Sequence, residues 1–574
     1  MVKKSFFSTF LKSSDIVQYL AFFLVIWLAY FIKFRAFGLY EDDYWYIGKP
    51  ANMNFGELLD LLKNNVFNIE GGQGRIIGFT VPQLLAFISF KLGGISGVYI
   101  LGSFVILLNA VLFYRFGLKI FPKYIAGIAT ILFILNPADT TKPLLIHILQ
   151  LQISVTFVLL ALNVYLNGRR IPAFVLAFCS LLTYENAYLP FLAAPLFAFN
   201  WDKKLIRRFI VHLIAGFSLI LLIFVVRKLM GESRIAELET AETIKRVLIS
   251  LIVGPVVSIG SFFVAMYEVV ISVSVLKWIL PAGIILFILW HFITEKVSYG
   301  YNQVKTRLVN LPGLKIEWES YETSDRIILL IIAGLFMLIC SYLFAFTHYP
   351  PVVLHGRSSS VHLAGSVSGS IVAAAIIYLI HFLVSRNNAL KHGFNVLLII
   401  FMSILLSKGL LIQNDFKKSW NGQVQFWNEI TNNTPDIKNN TIVLVDVDDN
   451  MYDIAYIITY SWALPEGYNQ IFRFDESWEY PPKAVIPGIT YENDLQYDEQ
   501  GIYFEPVYPF VFEDREKVYL EDKNVIYIDY NDGQAARVDT VFRCDSVAVA
   551  TAVKPVGEIP QFKLNEVGKL FLKK

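Results

Sequence analysis

Long apolar runs recur along the first 412 residues, and they constrain the chain more than any motif does. They fall at about 16–36, 97–114, 124–136, 144–166, 171–183, 187–199, 208–226, 273–293, 326–347, 364–384 and 394–412. Most are near the length that crosses about 30 Å of hydrocarbon. No water is available there for exposed backbone N–H and C=O groups, so such segments must be helices that satisfy themselves. The runs predict a polytopic α-helical membrane protein with about eleven transmembrane helices. The lipid bilayer is its first partner.

Composition agrees: 55% of the 574 residues are hydrophobic and only 17% are charged. The net charge is +2 with no dense basic block, which excludes the electrostatic footprint of a nucleic-acid binder. Cys179, Cys340 and Cys544 have neither metal-ligand nor disulfide spacing.

The first run follows Met1-Val2-Lys3-Lys4 and lacks a small-residue cleavage site, so it reads as an uncleaved span with a cytoplasmic N-terminus in the plasma (inner) membrane. Basic connectors support this orientation: Arg115 to Lys123, Arg169-Arg170, Lys203 to Arg208, the 295–326 loop, and Arg386 to Lys391. All fall on the cytoplasmic side when each run crosses once, as the positive-inside rule requires.

Two apolar segments, 76–92 and 247–270, would invert the following connectors if they crossed, and are placed at the outer interface. Gly56 to Lys63 has leucines at helical spacing and suits a short interfacial helix. The catalytic membrane domain is thus 1–412, with a first outer loop at 39–96. From Gln413 the composition turns polar and aromatic, with strand signals at 441–446 and 524–530 and a hairpin-like Asn531-Asp532-Gly533. Residues 413–574 are therefore predicted to form an extracytoplasmic α/β soluble domain. Its Asp446-Val-Asp448-Asp449-Asn450 lacks the glycine and glutamate of a calcium loop and reads as a strand-end loop.

On this topology the unusual polar residues collect on the outer face. Glu41-Asp42-Asp43 sits among Tyr40, Tyr44, Trp45 and Tyr46 just beyond the first span. A carboxylate there can act as general base on a hydroxyl, or Asp42 and Asp43 can bind a divalent cation such as Mg or Mn; an ordinary solvated loop is the competing reading. Tyr44 and Trp45 are of the types that stack on sugars. Arg357, with His348, His355, His362 and Ser358 to Ser360 nearby, suits a phosphate clamp, because a guanidinium fork holds two oxygens and stays charged. A snorkelling interfacial arginine is its alternative. Arg75, Lys142 and Arg234 are weaker candidates for the same role, and Asn136, Asp139, His147 and Glu232 share the outer loops. Glu185 interrupts the apolar stretch 171–199, where an acid must face a cavity or pair with a cation such as Lys142 or Arg227.

The order of these features resembles the GT-C superfamily of integral-membrane glycosyltransferases, which includes protein O-mannosyltransferases and aminoarabinose transferases. The elements carrying the resemblance are Asp42-Asp43 outside the first span, a long outer loop ending in Gly74-Arg75, and Leu135-Asn136-Pro137. The short helix pair broken at Thr183 to Asn186, and a late outer loop with Arg357, complete it. The resemblance implies transfer, with inversion, of a sugar from a polyprenyl-phosphate donor to a glycan, lipid or protein acceptor outside the cytoplasm. In that scheme Asp42 or Asp43 is the base. Arg357, His355, Arg75 and Lys142 serve the donor phosphate, and Glu185, Tyr44, Trp45 and His348 serve the substrate. Glu185 departs from the pattern, since related transferases often carry a lysine there. A polysaccharide polymerase or ligase using lipid-linked sugars, a transporter or flippase with Glu185 as coupling acid, and a non-catalytic scaffold are the other readings.

Overall fold

The computed structural model describes residues 13–67, 74–229, 240–272, 277–286, 322–345, 350–447, 468, 471–474, 477–478, 480–486, 495–505, 517–544, 547–552 and 562–572. His348, Glu232, Arg234 and Asp448 to Asn450 lie outside these residues, as does most of the 295–326 loop.

Among the described residues, eight helices are long and apolar enough to cross a membrane, and three shorter apolar ones lie at Lys123–Ile134, Arg170–Thr183 and Lys277–Leu286. Helix α1 (Ser13–Ile26) continues through a wide turn at Trp27–Phe31. After the acidic loop, α2 (Phe55–Phe67) packs on α3 (Ile76–Ile120), with Asn65 Nδ2 donating to Gln83 Oε1 at 2.6 Å. Gly93 and Gly94 leave helical geometry and divide α3 in two, which separates 76–92 from the following span as the sequence predicts. Helix α4 is Lys123–Ile134, α5 Ile153–Leu166, α6 Arg170–Thr183 and α7 Lys203–Leu229.

The expected span at 187–199 runs back along α6, since Arg170 at the start of that helix lies 5.2 Å over the Phe199 ring, but it is not one continuous helix. Pro190 and Pro195 remove backbone donors, and the segment becomes three short pieces, Glu185–Tyr188, Leu189–Ala193 and Ala194–Ala198. Its residues 187–197 are nearly all buried inside the bundle rather than facing lipid.

Helix α8 (Thr240–Ile271) contains the segment 247–270, and its 32 residues suffice to cross. It packs on three neighbours. Gly254 meets Tyr342 just past α9 (Thr323–Cys340), and Gly369 in the second turn of α10 (Leu363–Val384) meets Ser258. Glu268 pairs with Lys408, in the second half of the apolar part of α11 (Asn388–Asn433).

Helix α11 ties the two parts together. Asn387 caps it by accepting from the backbone N–H groups of Ala389 and Leu390 at 2.9 and 3.3 Å. It is close-packed on α1 at Gly409, where a Cβ would stand 2.5 Å from the Ala29 carbonyl oxygen. Its 46 residues span about 69 Å, more than twice the hydrocarbon thickness. The composition change at Gln413 therefore falls inside a continuous helix. Beyond it Phe416, Trp420, Gln423, Trp427 and Ile430, spaced three and four apart, are buried.

That projecting end is the floor of the soluble domain. Strands β1 (Ile442–Val447), β2 (Lys483–Val485), β3 (Val525–Asn531) and β4 (Gln534–Val538) form one sheet in the order β2-β1-β3-β4. The first three are parallel and β4 is antiparallel, with Ile442 opposite Val525 and Tyr530 opposite Ala535. The hairpin turn is Asp532-Gly533, both at positive φ (50° and 79°), the geometry that suits the right-handed twist of the flanking strands. Phe426 of α11 meets Tyr530 at 5.0 Å between ring centroids. Arg537 grips Asp436 at 2.7 and 3.1 Å where helix passes into sheet.

Candidate functional site

The loop leaving the first span folds back on itself within four residues. The Asp43 N–H donates to the Tyr40 carbonyl at 2.9 Å, closing a turn whose second residue, Glu41, has φ 48°. A non-glycine residue in this left-handed region costs about 1–2 kcal/mol, so packing around the turn holds it there. Tyr40 provides that packing: it is fully buried, and its hydroxyl donates to the Phe416 carbonyl of α11 at 2.8 Å.

The three carboxylates of the turn have three environments. Asp43 is fully buried, its Oδ2 accepting from Tyr40 N–H at 3.2 Å and its Oδ1 from Ile146 N–H at 2.7 Å. Burial pushes its carboxyl up to about 7, against the opposing pull of those backbone donors. Glu41 is also buried, and desolvation raises it to about 8 despite the guanidinium of Arg357, 3.7 Å away. Asp42 retains 20% of its side-chain exposure and takes both arms of Arg357, Nη2 to Oδ2 at 2.7 Å and Nη1 to Oδ1 at 3.2 Å.

Arg357 opens a short 3-10 turn, Arg357–His362, ahead of α10. This turn is anchored on the 135–146 loop: Thr140 N–H donates to Ser359 Oγ at 3.0 Å, and Gly356 N–H donates to Thr140 Oγ1 at 3.1 Å. Three loops distant in sequence therefore meet at Asp42 and Asp43. The histidines serve elsewhere. His355 is largely exposed and faces Glu268 at 3.0 Å, while His362 is buried between Tyr342 Oη at 2.6 Å and the Val353 carbonyl at 3.1 Å.

Lys142 reaches none of the carboxylates of this turn. Its ammonium donates to the carbonyls of Ile134 and Asn136, at 2.6 and 3.2 Å, and to Tyr30 Oη at 3.2 Å, closing the end of α4. Burial lowers it to about 8. Asp139, beside it, accepts from Thr141 through Oδ1.

A second ionic centre contains Arg75, Glu185 and Arg227. Arg75 binds Glu185 in a fork, Nε to Oε2 at 2.9 Å and Nη2 to Oε1 at 2.5 Å, and Arg227 adds Nη2 to Oε2 at 3.0 Å. Arg75 also lies 4.7 Å over the Tyr184 ring. Glu185 thus faces two guanidiniums in a nearly buried place. Glu185 takes Arg227, one of the two partners predicted for it, and not Lys142.

The aromatic residues divide. Tyr44 is buried, stacked at 6.2 Å on Phe571 of the soluble domain, with its hydroxyl on Gln423. Trp45 is half-buried with Lys49 Nζ 3.7 Å from its ring, and stays nearer the surface. Among the described residues no three His, Cys, Asp or Glu side chains converge as a cation site. Sequence reading missed the pair of Lys408 with Glu268. Both are charges inside apolar runs, and that signal was present.

The chain matches no protein-family model and no curated protein. Among solved structures it is similar to ArnT from Cupriavidus metallidurans bound to undecaprenyl phosphate, with 13% sequence identity, 78% of this chain and 85% of that chain covered, and a TM-score of 0.32.

Proposed function

We propose that the chain is an integral-membrane glycosyltransferase that moves a sugar from a polyprenyl-phosphate donor to an acceptor hydroxyl at the extracytoplasmic face, inverting the anomeric centre. The observation that carries this reading is the fork of Arg357 on Asp42 at the meeting point of three loops. A phosphate oxygen pair has the same bite as a carboxylate, so an arriving donor competes with Asp42 for the guanidinium. Once the phosphate takes Arg357, Asp42 is released as a partly exposed carboxylate that turns to the acceptor hydroxyl.

In the reaction the acceptor oxygen forms its bond to the anomeric carbon on the face opposite the phosphate. The carbon–oxygen bond to phosphate breaks, the electron pair leaves with polyprenyl phosphate, and Asp42 takes the acceptor proton. Asp43 is the positioning residue, since both its oxygens are occupied by backbone N–H groups. Lys142 is left out of the phosphate set because backbone carbonyls occupy its ammonium. Trp45 is the more available sugar platform, since Tyr44 is buried.

The test is transfer from a radiolabelled polyprenyl-phosphate sugar in purified membranes. Asp42→Asn and Arg357→Ala should each lose about 10²–10⁴-fold, the range for a positioned general base or an electrostatic stabiliser. Undiminished transfer by Asp42→Asn, with loss only in Arg357→Ala, would favour the polymerase or ligase reading instead.

A further inference from the structure

A second basic site lies on the lipid-facing side of the seam between α1 and α11. The first span ends in Ile32-Lys33-Phe34-Arg35, and Lys417 of α11 stands beside it. Together with Trp27 these residues line a groove of about 450 Å³. Lys33 is fixed over it: its ammonium donates to Asn414 Oδ1, and its backbone N–H donates to Gln413 Oε1 at 3.0 Å. Arg35 is exposed, with its guanidinium 6.0 Å from the Phe34 ring. Lys277 is close enough for its charge to act on Lys33.

None of these four cations is in an ion pair among the described residues. The nearest acid in sequence, Asp415, feels Lys408, His355 and Lys418 instead. Topogenic signalling does not explain them, because the orientation set by the other basic connectors puts this end of α1 outside. The apolar wall of the groove continues down the helix through Ile32, Leu24 and Leu20, which are 46%, 38% and 62% exposed. Trp278, next to Lys277, is 45% exposed and is of the type that settles at the headgroup level. Cations above an apolar, lipid-facing wall match a ligand with an anionic head and a hydrocarbon tail. Lys417 is on the exposed side of α11, whereas its neighbours Phe416 and Trp420 are buried under the acidic loop.

We infer that this groove holds the phosphate headgroup of an anionic glycerophospholipid from the surrounding leaflet, with Lys33, Arg35 and Lys417 on the phosphate and an acyl chain along Ile32 and Leu24. The site pins the junction between the first span and the soluble domain's helix to the membrane surface. It does not depend on the transferase reading, since none of its residues belongs to the Arg357–Asp42 centre.

Native mass spectrometry of the full chain, released from nanodiscs containing equal phosphatidylglycerol and phosphatidylcholine, tests the inference. The wild-type chain should retain phosphatidylglycerol. Retention should fall about fivefold for each cation removed in Arg35→Gln, Lys417→Gln and their double variant, which leave the Lys33–Asn414 contact intact. The pair Arg386→Gln/Lys391→Gln, at the other end of α10 and α11, is the control and should retain lipid as the wild type does. Equal retention of phosphatidylcholine, or unchanged phosphatidylglycerol in the Arg35→Gln/Lys417→Gln variant, would overturn the site. Displacement of the retained lipid by inorganic phosphate at millimolar concentration would overturn the part assigned to the acyl chain. Displacement by an equimolar amount of polyprenyl phosphate would overturn the assignment to a glycerophospholipid.

Discussion

Tyr44 lies parallel to Phe571, their rings 6.2 Å apart and only 7° from coplanar, so the soluble domain touches the residue that follows Asp43. Phe571 is also 4.8 Å from Trp420 and 6.4 Å from Trp427, both on α11. The acidic turn thus rests on a rigid helix and on the far end of the chain at once. Glu566 N–H, five residues earlier, reinforces this by donating to Asn52 Oδ1 at 3.0 Å.

Replacing Phe571 with alanine should therefore act on both parts. Removing a buried aromatic ring costs about 3–5 kcal/mol, and the cavity lies directly under the acidic turn. Thermal unfolding in detergent should shift down, and sugar transfer should fall in Phe571→Ala while Phe571→Leu keeps most of both. A Phe571→Ala chain with unchanged transfer would show that the soluble domain does not set the geometry of Asp43.

The Arg357–Asp42 fork makes a prediction of a different kind. Arg357→Ala leaves Asp42 and Glu41 without their cation, and breaking a mostly buried pair on one side costs about 3 kcal/mol. Adding Asp42→Asn removes the stranded charge, so the double variant should regain thermal stability relative to Arg357→Ala. It should not regain transfer. A double variant no more stable than Arg357→Ala alone would mean that the pair does not hold the loops together.

The membrane class, the divided segment 76–120, the hairpin at Asp532-Gly533 and the two parallel strands 442–447 and 525–531 were legible, because each rests on local pattern: apolar length, glycine position, turn chemistry and β-branched runs. The path of segment 187–199 along its neighbour was legible from its apolar composition, whereas its breaking into short turns follows from its two prolines and its burial on all sides. The helix through Gln413 was hidden for a related reason. Composition marks where lipid ends, and a helix that leaves lipid to enter a protein core need not stop there. At the site, the residue types were visible but the pairings were not. Asp42 and Arg357 are 315 residues apart, and nothing local distinguishes Arg357 as the partner of Asp42 from Arg75 as the partner of Glu185.

The Arg75–Glu185–Arg227 centre should give an ordered series. Glu185→Gln takes the carboxylate from two nearly buried guanidiniums at once and should be the most destabilising, by about 3–5 kcal/mol. Arg75→Met loses a two-armed bond and comes next. Arg227→Met takes one arm from Glu185, worth about 1.5–3 kcal/mol, and leaves the Arg75 fork in place. Thermal unfolding of the three variants checks the order, and Arg227→Met as the least stable of them would contradict it.

The buried carboxyls of the acidic turn fix the sign of a pH effect. Glu41 is raised from 4.5 to about 8, chiefly by desolvation, and Asp43 is raised from 3.8 to about 7 for the same reason. Between the unfolded and folded values the native chain binds more protons than the unfolded one, so stability falls as pH rises through that window. The contribution is fully favourable below about pH 4, declines from there, and levels off above about pH 8 once Glu41 has ionised in the folded chain. Glu41→Gln has no proton to lose, so its unfolding temperature should fall less steeply between pH 5 and about 8, and it should exceed the wild type at the upper end. The remaining slope belongs to Asp43. Unfolding temperatures of the two proteins, measured in one detergent across this range, settle the matter: parallel curves would mean that Glu41 is already ionised in the folded chain at pH 5, held charged by Arg357.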